Sequence, residues 1–194
     1  MALATGPVMA APAPERLLVL GDSLSAAYGL DVSEGWVVQL AERLEPEGIT
    51  VINASVSGET TSGGLSRLPR LLERHEPQWV VIALGANDGL RGLPLPAIRK
   101  NLVSLLGTVR TSGARPILVG IMLPPNYGPR YADDFAELFE EIAAAESVPL
   151  VPFLLEEVAE DRALMQPDGL HPTAEAQPLL FRNVWQVVEP LIVD

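Results

Sequence analysis

The chain lacks cysteine altogether and has very little histidine or lysine. With no cysteine among its 194 residues, it can form neither disulfide frameworks nor thiol nucleophiles, and it has no sulfur ligands for zinc ribbons or iron–sulfur clusters. The two histidines, His75 and His171, are too few for a multi-histidine metal site. The only lysine, Lys100, stands in a polar Arg-Lys-Asn stretch typical of a solvated helix face. The composition therefore argues against metal–sulfur, multi-histidine and Schiff-base chemistry.

Basic residues and long apolar runs are also scarce. The chain has 13 Lys and Arg residues against 25 Asp and Glu residues, a formal net charge of −12, and such a charge repels phosphate backbones and anionic lipid surfaces. No apolar run reaches the ~18 residues that a membrane-spanning helix needs. We therefore expect neither a nucleic-acid partner nor a membrane span.

The apolar residues that are present suffice for a core. Hydrophobic residues make up 48% and charged residues 20% of the sequence, and a chain of this length buries roughly 70% of the surface that its unfolded form exposes. No repeat, low-complexity tract or linker divides the sequence after residue 14. We expect a single domain over residues 15–194, and a monomer.

Residues 1–14 differ from the rest because they are small, neutral and rich in Pro and Ala. The segment Val-Met-Ala-Ala (8–11) is similar to the small-residue cleavage region of a secretory signal, although the usual basic and long apolar parts are missing. We interpret residues 1–10 as the remnant of an export signal. A disordered leader unrelated to export is the alternative.

Five short apolar runs alternate with segments of helical periodicity. The runs are almost continuously apolar, as expected for strands buried on both faces of a parallel sheet, and they span residues 17–20, 49–52, 79–84, 117–121 and 148–153. The helical segments carry apolar residues at three-and-four spacing and span residues 35–44, 61–74, 96–110, 133–146 and 173–188. This alternation predicts an α/β fold in which helices cover both faces of the sheet and ligands bind beyond the carboxyl ends of the strands.

Polar residues or glycines follow the first three runs. Ser23 follows the first, in Gly-Asp-Ser-Leu (21–24), where we expect a helix start whose N–H groups and dipole favour an anion. Gly58 follows the second run and Asn87 the third, and they could supply a backbone N–H and a side-chain amide. Taken singly, each position has an ordinary explanation as a helix cap or a turn.

Near the carboxyl end, Asp168 precedes His171 by three residues within Asp-Gly-Leu-His-Pro (168–172). At this spacing the carboxylate can accept from one ring nitrogen while the other nitrogen faces outward as a base. A surface turn followed by an exposed histidine is the alternative. His75, in contrast, ends a charged helical segment and has no such neighbour.

The positions of these residues favour one shared site. Three of them follow consecutive strands, at the sheet edge where a cleft is expected, whereas unrelated turns would be scattered more freely. Together they supply a hydroxyl, a base, an orienting acid and up to three oxyanion donors.

This ordered set resembles the SGNH, or GDSL-type, hydrolase superfamily, whose sequence blocks centre on a Ser, a Gly, an Asn and a His in that order. Ser23, Gly58, Asn87 and His171, the last with Asp168, match the four blocks. Gly-Leu-Arg-Gly (89–92), Leu-Pro-Pro-Asn-Tyr-Gly (123–128) and Glu-Glu-Val (156–158) resemble, more narrowly, the periplasmic multifunctional thioesterase I / protease I / lysophospholipase enzymes of Gram-negative bacteria. The likeness extends from about residue 17 to residue 191.

The resemblance implies a fold, an activity and a location. The fold is a three-layer α/β/α sandwich with a five-stranded parallel sheet, of the flavodoxin-like kind. The activity is hydrolysis of acyl thioesters, aryl and short-to-medium-chain esters and lysophospholipids in the periplasm, with no metal or cofactor. Two loops of the family shape an acyl groove, here residues 89–94 and 125–134, and Leu90 and Tyr127 are the expected substrate contacts.

The resemblance also implies roles for the matched residues. Ser23 is the expected nucleophile, His171 the general base and Asp168 the acid that orients the ring. The backbone N–H groups of Ser23 and Gly58 and the side-chain amide of Asn87 are the expected oxyanion hole.

Two other functions stay open on the sequence. A doubly wound module could hold a phosphate or nucleotide at a helix start beside Ser23, although the glycine-rich loops of such modules are absent and the net charge opposes an anion. A carbohydrate deacetylase would use the same catalytic residues, although no aromatic-rich stretch suggests sugar stacking. A fluorophosphonate probe separates the hydrolase from the binding module, because only a hydrolase forms a covalent adduct.

Overall fold

A five-stranded parallel sheet forms the centre of the structure, a computed structural model that describes residues 15–193. The strands run in the spatial order β2-β1-β3-β4-β5, and each is parallel to its neighbours. Their bounds are β1 Glu15–Gly21, β2 Ile49–Asn53, β3 Trp79–Ala83, β4 Arg115–Val119 and β5 Leu150–Val151. Every residue of β3 is buried, which explains why this run shows no polar alternation.

Two groups of helices cover the sheet. One group joins α1 and α6, and the other joins α2, α4 and α5 side by side. The helices are α1 Trp36–Leu44, α2 Thr61–His75, α3 Ala86–Leu90, α4 Leu95–Thr111, α5 Pro129–Glu146 and α6 Gln177–Ile192. Right-handed crossovers explain the division, because the step from β1 to β2 runs one way along the sheet and the later steps run the other way. The predicted three-layer α/β/α fold is confirmed.

The strand order reverses between β1 and β3, and this reversal opens a crevice beyond the carboxyl ends of the two strands. The segments that leave β1, β2 and β3 at this edge carry Ser23, Gly58 and Asn87. The topology therefore brings three distant parts of the chain to one rim.

The last strand and helix differ most from their predicted ranges. β5 is only two residues long, because Pro149 and Pro152 on either side of it have no N–H for the sheet. α6 begins at Gln177 rather than at residue 173. The preceding residues form successive turns instead, with the N–H of Ala176 donating to the Thr173 carbonyl at 3.3 Å.

Residues 1–14, which include the interpreted export signal, lie outside the described residues. Within residues 15–193, no helix combines the length and the apolar character needed to cross a membrane.

Candidate active site

Ser23 lies in a run of turns directly after β1. The N–H of Ala26 donates to the Asp22 carbonyl at 2.9 Å, and the N–H of Tyr28 donates to the Ser23 carbonyl at 3.2 Å. Ala27 then has a φ of 55°, in the left-handed region, and this interrupts a helix. The first α-helix begins only at Trp36. The prediction that Ser23 starts a helix is therefore wrong, and the phosphate-binding alternative loses the helix terminus on which it depended.

The structure brings Ser23 together with the Asp168–His171 loop. His171 Nε2 lies 2.9 Å from Ser23 Oγ, and His171 Nδ1 lies 2.7 Å from Asp168 Oδ2. Since the carboxylate accepts from Nδ1–H, the lone pair of Nε2 faces the serine hydroxyl. This is the geometry of a nucleophile, its base and the group that orients the base.

Asp168 is held ionised by hydrogen bonds from its own loop. Its Oδ1 accepts from the N–H of Leu170 at 2.9 Å and from the N–H of His171 at 3.0 Å. Partial desolvation raises the pKa of Asp168, but these N–H groups and the imidazole outweigh that effect and lower the pKa to about 2. The carboxylate therefore keeps its charge throughout the neutral range.

Gln166 links the Asp168–His171 loop to the turns that follow Ser23. Its Nε2 donates to the Tyr28 carbonyl at 2.8 Å and to the Pro172 carbonyl at 2.9 Å, and its backbone N–H donates to the His171 carbonyl at 2.7 Å. Sequence reasoning missed this contact, because nothing in the local pattern shows which distant carbonyl a glutamine reaches.

Tyr28 packs its ring against the imidazole of His171. The two ring centroids are 4.4 Å apart with an angle of 35° between the planes, and Tyr28 is half exposed at 50%. The tyrosine therefore restricts the motion of the imidazole and also presents an apolar surface beside it. This residue, too, was missed by the sequence analysis.

Asn87 lies at the start of α3, shortly after the end of β3. Its Nδ2 donates to the Glu59 carbonyl at 3.0 Å and contacts Asp22 Oδ2 at 3.3 Å. Glu59 is the residue after Gly58, so the side-chain amide of Asn87 borders the Gly58 segment as well as the Ser23 turn. Gly58 itself has a φ of +80°, a backbone conformation that favours glycine.

Asp22 is the most buried carboxylate beside the triad. Only 1% of the residue is exposed, and its Oδ1 accepts from the N–H of Leu24 at 3.0 Å. Burial raises the pKa of Asp22 to about 6, although its hydrogen bonds and the nearby His171 act in the opposite direction. Asp22 was not among the functional residues predicted from the sequence.

A second buried carboxylate, Asp88, anchors the helices behind the crevice. Its Oδ2 accepts from the N–H of Thr61 at 2.8 Å and its Oδ1 from the Thr61 hydroxyl at 2.6 Å. The side-chain amide of Asn101 also donates to the Thr61 hydroxyl, at 3.0 Å. This network links α3 to the first turn of α2 and to α4, and so stabilises the segment between Gly58 and α2.

The two predicted groove loops are partly helical. Leu90 is the last residue of α3, and Tyr127 ends a 3-10 turn at Pro125–Tyr127. α5 already begins at Pro129, because proline fits the first turn of a helix, so residues 129–134 are not loop. The hydroxyl of Tyr131, in that first turn, donates to the Leu93 carbonyl at 2.7 Å and joins the two segments.

Within residues 15–193, no three His, Asp or Glu side chains are gathered so that they could hold a metal ion. The side chains that do converge on the crevice are a hydroxyl, an imidazole, carboxylates and an amide. Chemically, this set can transfer an acyl group to a serine and stabilise the oxyanion that forms.

The family assignment follows from comparison with known sequences. The model of the GDSL-like lipase/acylhydrolase family matches residues 19–178. The chain belongs to this family. The match includes all the sequence blocks on which the predicted resemblance was based, and the prediction is confirmed.

Three named relatives align with nearly the whole chain. Esterase TesA of Pseudomonas aeruginosa is 51% identical over 182 residues, which are 93% of this chain and 90% of that protein. An arylesterase of Vibrio mimicus is 47% identical over 91% of this chain and 90% of its own length. Thioesterase 1/protease 1/lysophospholipase L1 of Escherichia coli is 42% identical over 94% of this chain and 87% of its own length.

The fold is similar to that of solved members. The structure superposes on a crystal structure of TesA with a TM-score of 0.88 at 51% sequence identity. The aligned part covers 91% of this chain and 99% of the TesA chain. The sheet, its flanking helices and the order of the strand-end segments are therefore those of an SGNH hydrolase.

Proposed function

We propose that the chain is a serine hydrolase that cleaves carboxylic esters and acyl thioesters through an acyl-enzyme intermediate. The observation that carries the proposal is the contact between Ser23 Oγ and His171 Nε2 at 2.9 Å, on a ring whose Nδ1 lies 2.7 Å from Asp168. The relatives named esterase, arylesterase and thioesterase support the same reaction class.

In the first step, His171 takes the proton of Ser23 as the hydroxyl oxygen attacks the acyl carbonyl. Asp168 keeps the ring in the tautomer that can accept this proton and stabilises the imidazolium that forms. The imidazolium then gives the proton to the leaving alcohol or thiol. Water then attacks the acyl-enzyme while His171 takes its proton; the bond between Ser23 Oγ and the acyl carbon breaks, the carboxylic acid leaves and the proton returns to Ser23.

The negative charge of the tetrahedral intermediate is stabilised by three donors in this proposal. They are the backbone N–H groups of Ser23 and Gly58 and the side-chain amide of Asn87. The positions of these three groups support their role. Ser23 and Gly58 lie in the segments that follow the neighbouring strands β1 and β2, and the side-chain amide of Asn87 contacts Asp22 and Glu59, which are next to them in the sequence. The cycle uses only these groups and water.

Acyl chains are the proposed substrates because apolar side chains are exposed at the same edge of the sheet. Val56 is 47% exposed, Leu93 37% and Met122 45%, and they follow β2, β3 and β4 along the chain. Leu90 and Tyr127 are partly buried and pack against the core. We propose that these side chains line the groove for acyl-CoA, aryl and short-to-medium-chain esters and lysophospholipids.

We further propose that residues 15–194 form one hydrolase domain that acts as a monomer in the periplasm. The single sheet supports the first statement, and the small-residue segment at 8–11 supports export. Size-exclusion chromatography and fractionation of cells expressing the full chain test these statements. A dimer or a cytoplasmic location would contradict them.

The proposed function is tested with Ser23→Ala on a panel of p-nitrophenyl esters and acyl-CoAs of graded length. We expect hydrolysis to be lost while the melting temperature stays close to that of the wild type. The matched control is Ser25→Ala, which removes a buried hydroxyl two residues away that has no hydrogen-bond partner within residues 15–193. Wild-type rates in Ser23→Ala would remove Ser23 from the mechanism.

A further inference from the structure

The side-chain amide of Asn87 has two hydrogens, and both already face protein acceptors. One contact, to the Glu59 carbonyl, has an ordinary length of 3.0 Å, whereas the contact to Asp22 Oδ2 is longer at 3.3 Å. An oxyanion donor needs a hydrogen that can turn towards the substrate. The hydrogen near Asp22 is the one more weakly held, and it is therefore the one that an oxyanion can share.

Asp22 is well placed to control that hydrogen. Its Oδ1 is fixed by the N–H of Leu24 at 3.0 Å, so its Oδ2 is the oxygen that faces α3. The residue is 1% exposed, which leaves little room for water to replace either contact. A buried carboxylate of this kind persists only where its hydrogen bonds are made.

We propose that Asp22 is a positioning residue of the oxyanion hole, whose Oδ2 aims the side-chain amide of Asn87 at the site where the oxyanion forms. The proposal rests on the function proposed above. Asp22 itself touches neither the acyl group nor the leaving group. It acts through the side-chain amide of Asn87.

Asp22→Asn tests this directly, because it preserves the shape of the side chain and replaces the acceptor that faces Asn87 with a donor. The side-chain oxygen of the new asparagine must accept from the N–H of Leu24. The NH2 group of residue 22 therefore faces the NH2 group of Asn87. Two donors cannot pair, so position 22 repels the NH2 group of Asn87 instead of holding it, and only the Glu59 carbonyl still accepts from that group. The amide hydrogen is then displaced from the direction in which it meets the oxyanion.

The experiment is a double-mutant cycle of Asp22→Asn with Asn87→Ala, read as kcat and KM on one p-nitrophenyl ester. Loss of a single oxyanion donor lowers kcat by ~10² to 10³-fold, which we expect for Asn87→Ala. Asp22→Asn should lower kcat by at least ~10-fold with little change in KM, but by less than ~2-fold in the Asn87→Ala background.

Asp88→Asn is the matched control, since Asp88 is buried to the same 1% and contacts Thr61 instead of the Asn87 side chain. Its effect on kcat should be equal in both backgrounds. If Asp22→Asn is likewise additive with Asn87→Ala, Asp22 is merely structural and the proposal is overturned. If Asn87→Ala leaves kcat unchanged, the oxyanion role in the proposed function fails instead.

Two further measurements test the proposal if Asp22→Asn does not fold. Asp22→Ala removes the acceptor without adding a donor, so it should lower kcat by less than Asp22→Asn does, and the reverse order would contradict the proposal. In the wild type, both side-chain amide hydrogens of Asn87, assigned by their absence in Asn87→Ala, should exchange with water more slowly than those of the exposed Asn126. Equally fast exchange of the hydrogen that faces Asp22 would mean that Asp22 does not hold the amide.

Discussion

Asp168→Asn is the substitution whose effect the structure defines most closely. Two backbone N–H groups, of Leu170 and His171, fix one oxygen of residue 168 as an acceptor. An asparagine must keep its oxygen there, so its NH2 group faces His171 Nδ1. A donor at this position favours the ring tautomer with hydrogen on Nε2, and that nitrogen can then no longer accept the proton of Ser23.

The expected loss in kcat is ~10⁴-fold, as for the same substitution in a well-characterised serine protease triad, or about 5 kcal/mol in the activation free energy. Because residue 168 keeps its two backbone contacts, the melting temperature and KM should change little. The assay is steady-state hydrolysis of a p-nitrophenyl ester at pH 7 to 8.

Asp161→Asn is the matched control for Asp168→Asn. Asp161 also accepts from the N–H two residues on, that of Ala163 at 2.9 Å, and we expect that variant to keep wild-type rates. A loss of less than ~10-fold in Asp168→Asn, in a folded protein, would refute the argument that the tautomer of His171 controls turnover.

Three other outcomes follow from the structure. Burial raises the pKa of Asp22 from 3.8 to about 6, so the folded chain binds this proton more tightly than the unfolded chain does. The group's contribution to the free energy of unfolding therefore falls by about 3 kcal/mol in all as the pH rises from below 3.8 to above 6. In urea denaturation, the free energy of unfolding of the wild type relative to that of Asp22→Asn should therefore fall from pH 4 to pH 7, and a pH-independent difference would contradict this. Gly64→Ala should destabilise the fold by about 1 to 3 kcal/mol, because a Cβ there would clash with the side chain of the buried Leu84. Gly107→Ala should stabilise the fold by up to about 1 kcal/mol, because a Cβ there would meet no neighbouring atom. Thermal melts that give both changes the same sign would count against the packing of α2. Leu90→Ala and Tyr127→Ala should lower kcat/KM more for longer p-nitrophenyl esters than for the acetate, and a uniform loss across chain lengths would argue against the acyl groove.

The architecture was predictable because its signals are local and repeated. Each buried strand is an apolar run, and each helix longer than the five-residue α3 shows three-and-four spacing, so their alternation predicts the parallel sheet. Element ends depend on finer effects. Pro149 and Pro152 shorten β5 by their missing N–H groups, and the left-handed backbone of Ala27 prevents a helix after Ser23.

The candidate site was predictable only where a motif carries the chemistry. Ser23, Asn87 and His171 stand in recognisable blocks directly after strands or in a tight loop. Gln166 and Tyr28 do not, because their contacts depend on how two distant segments pack against each other. The burial of a residue such as Asp22 is likewise a property of the folded chain, although its sequence block was identified.

Covalent labelling with a fluorophosphonate tests the central claim most directly, namely that Ser23 is a nucleophile activated by His171. The account predicts one adduct per chain by intact mass, located on Ser23 by peptide mapping, absent in Ser23→Ala and formed far more slowly in His171→Ala. An adduct on another residue, or equal labelling of the wild type and Ser23→Ala, would contradict it.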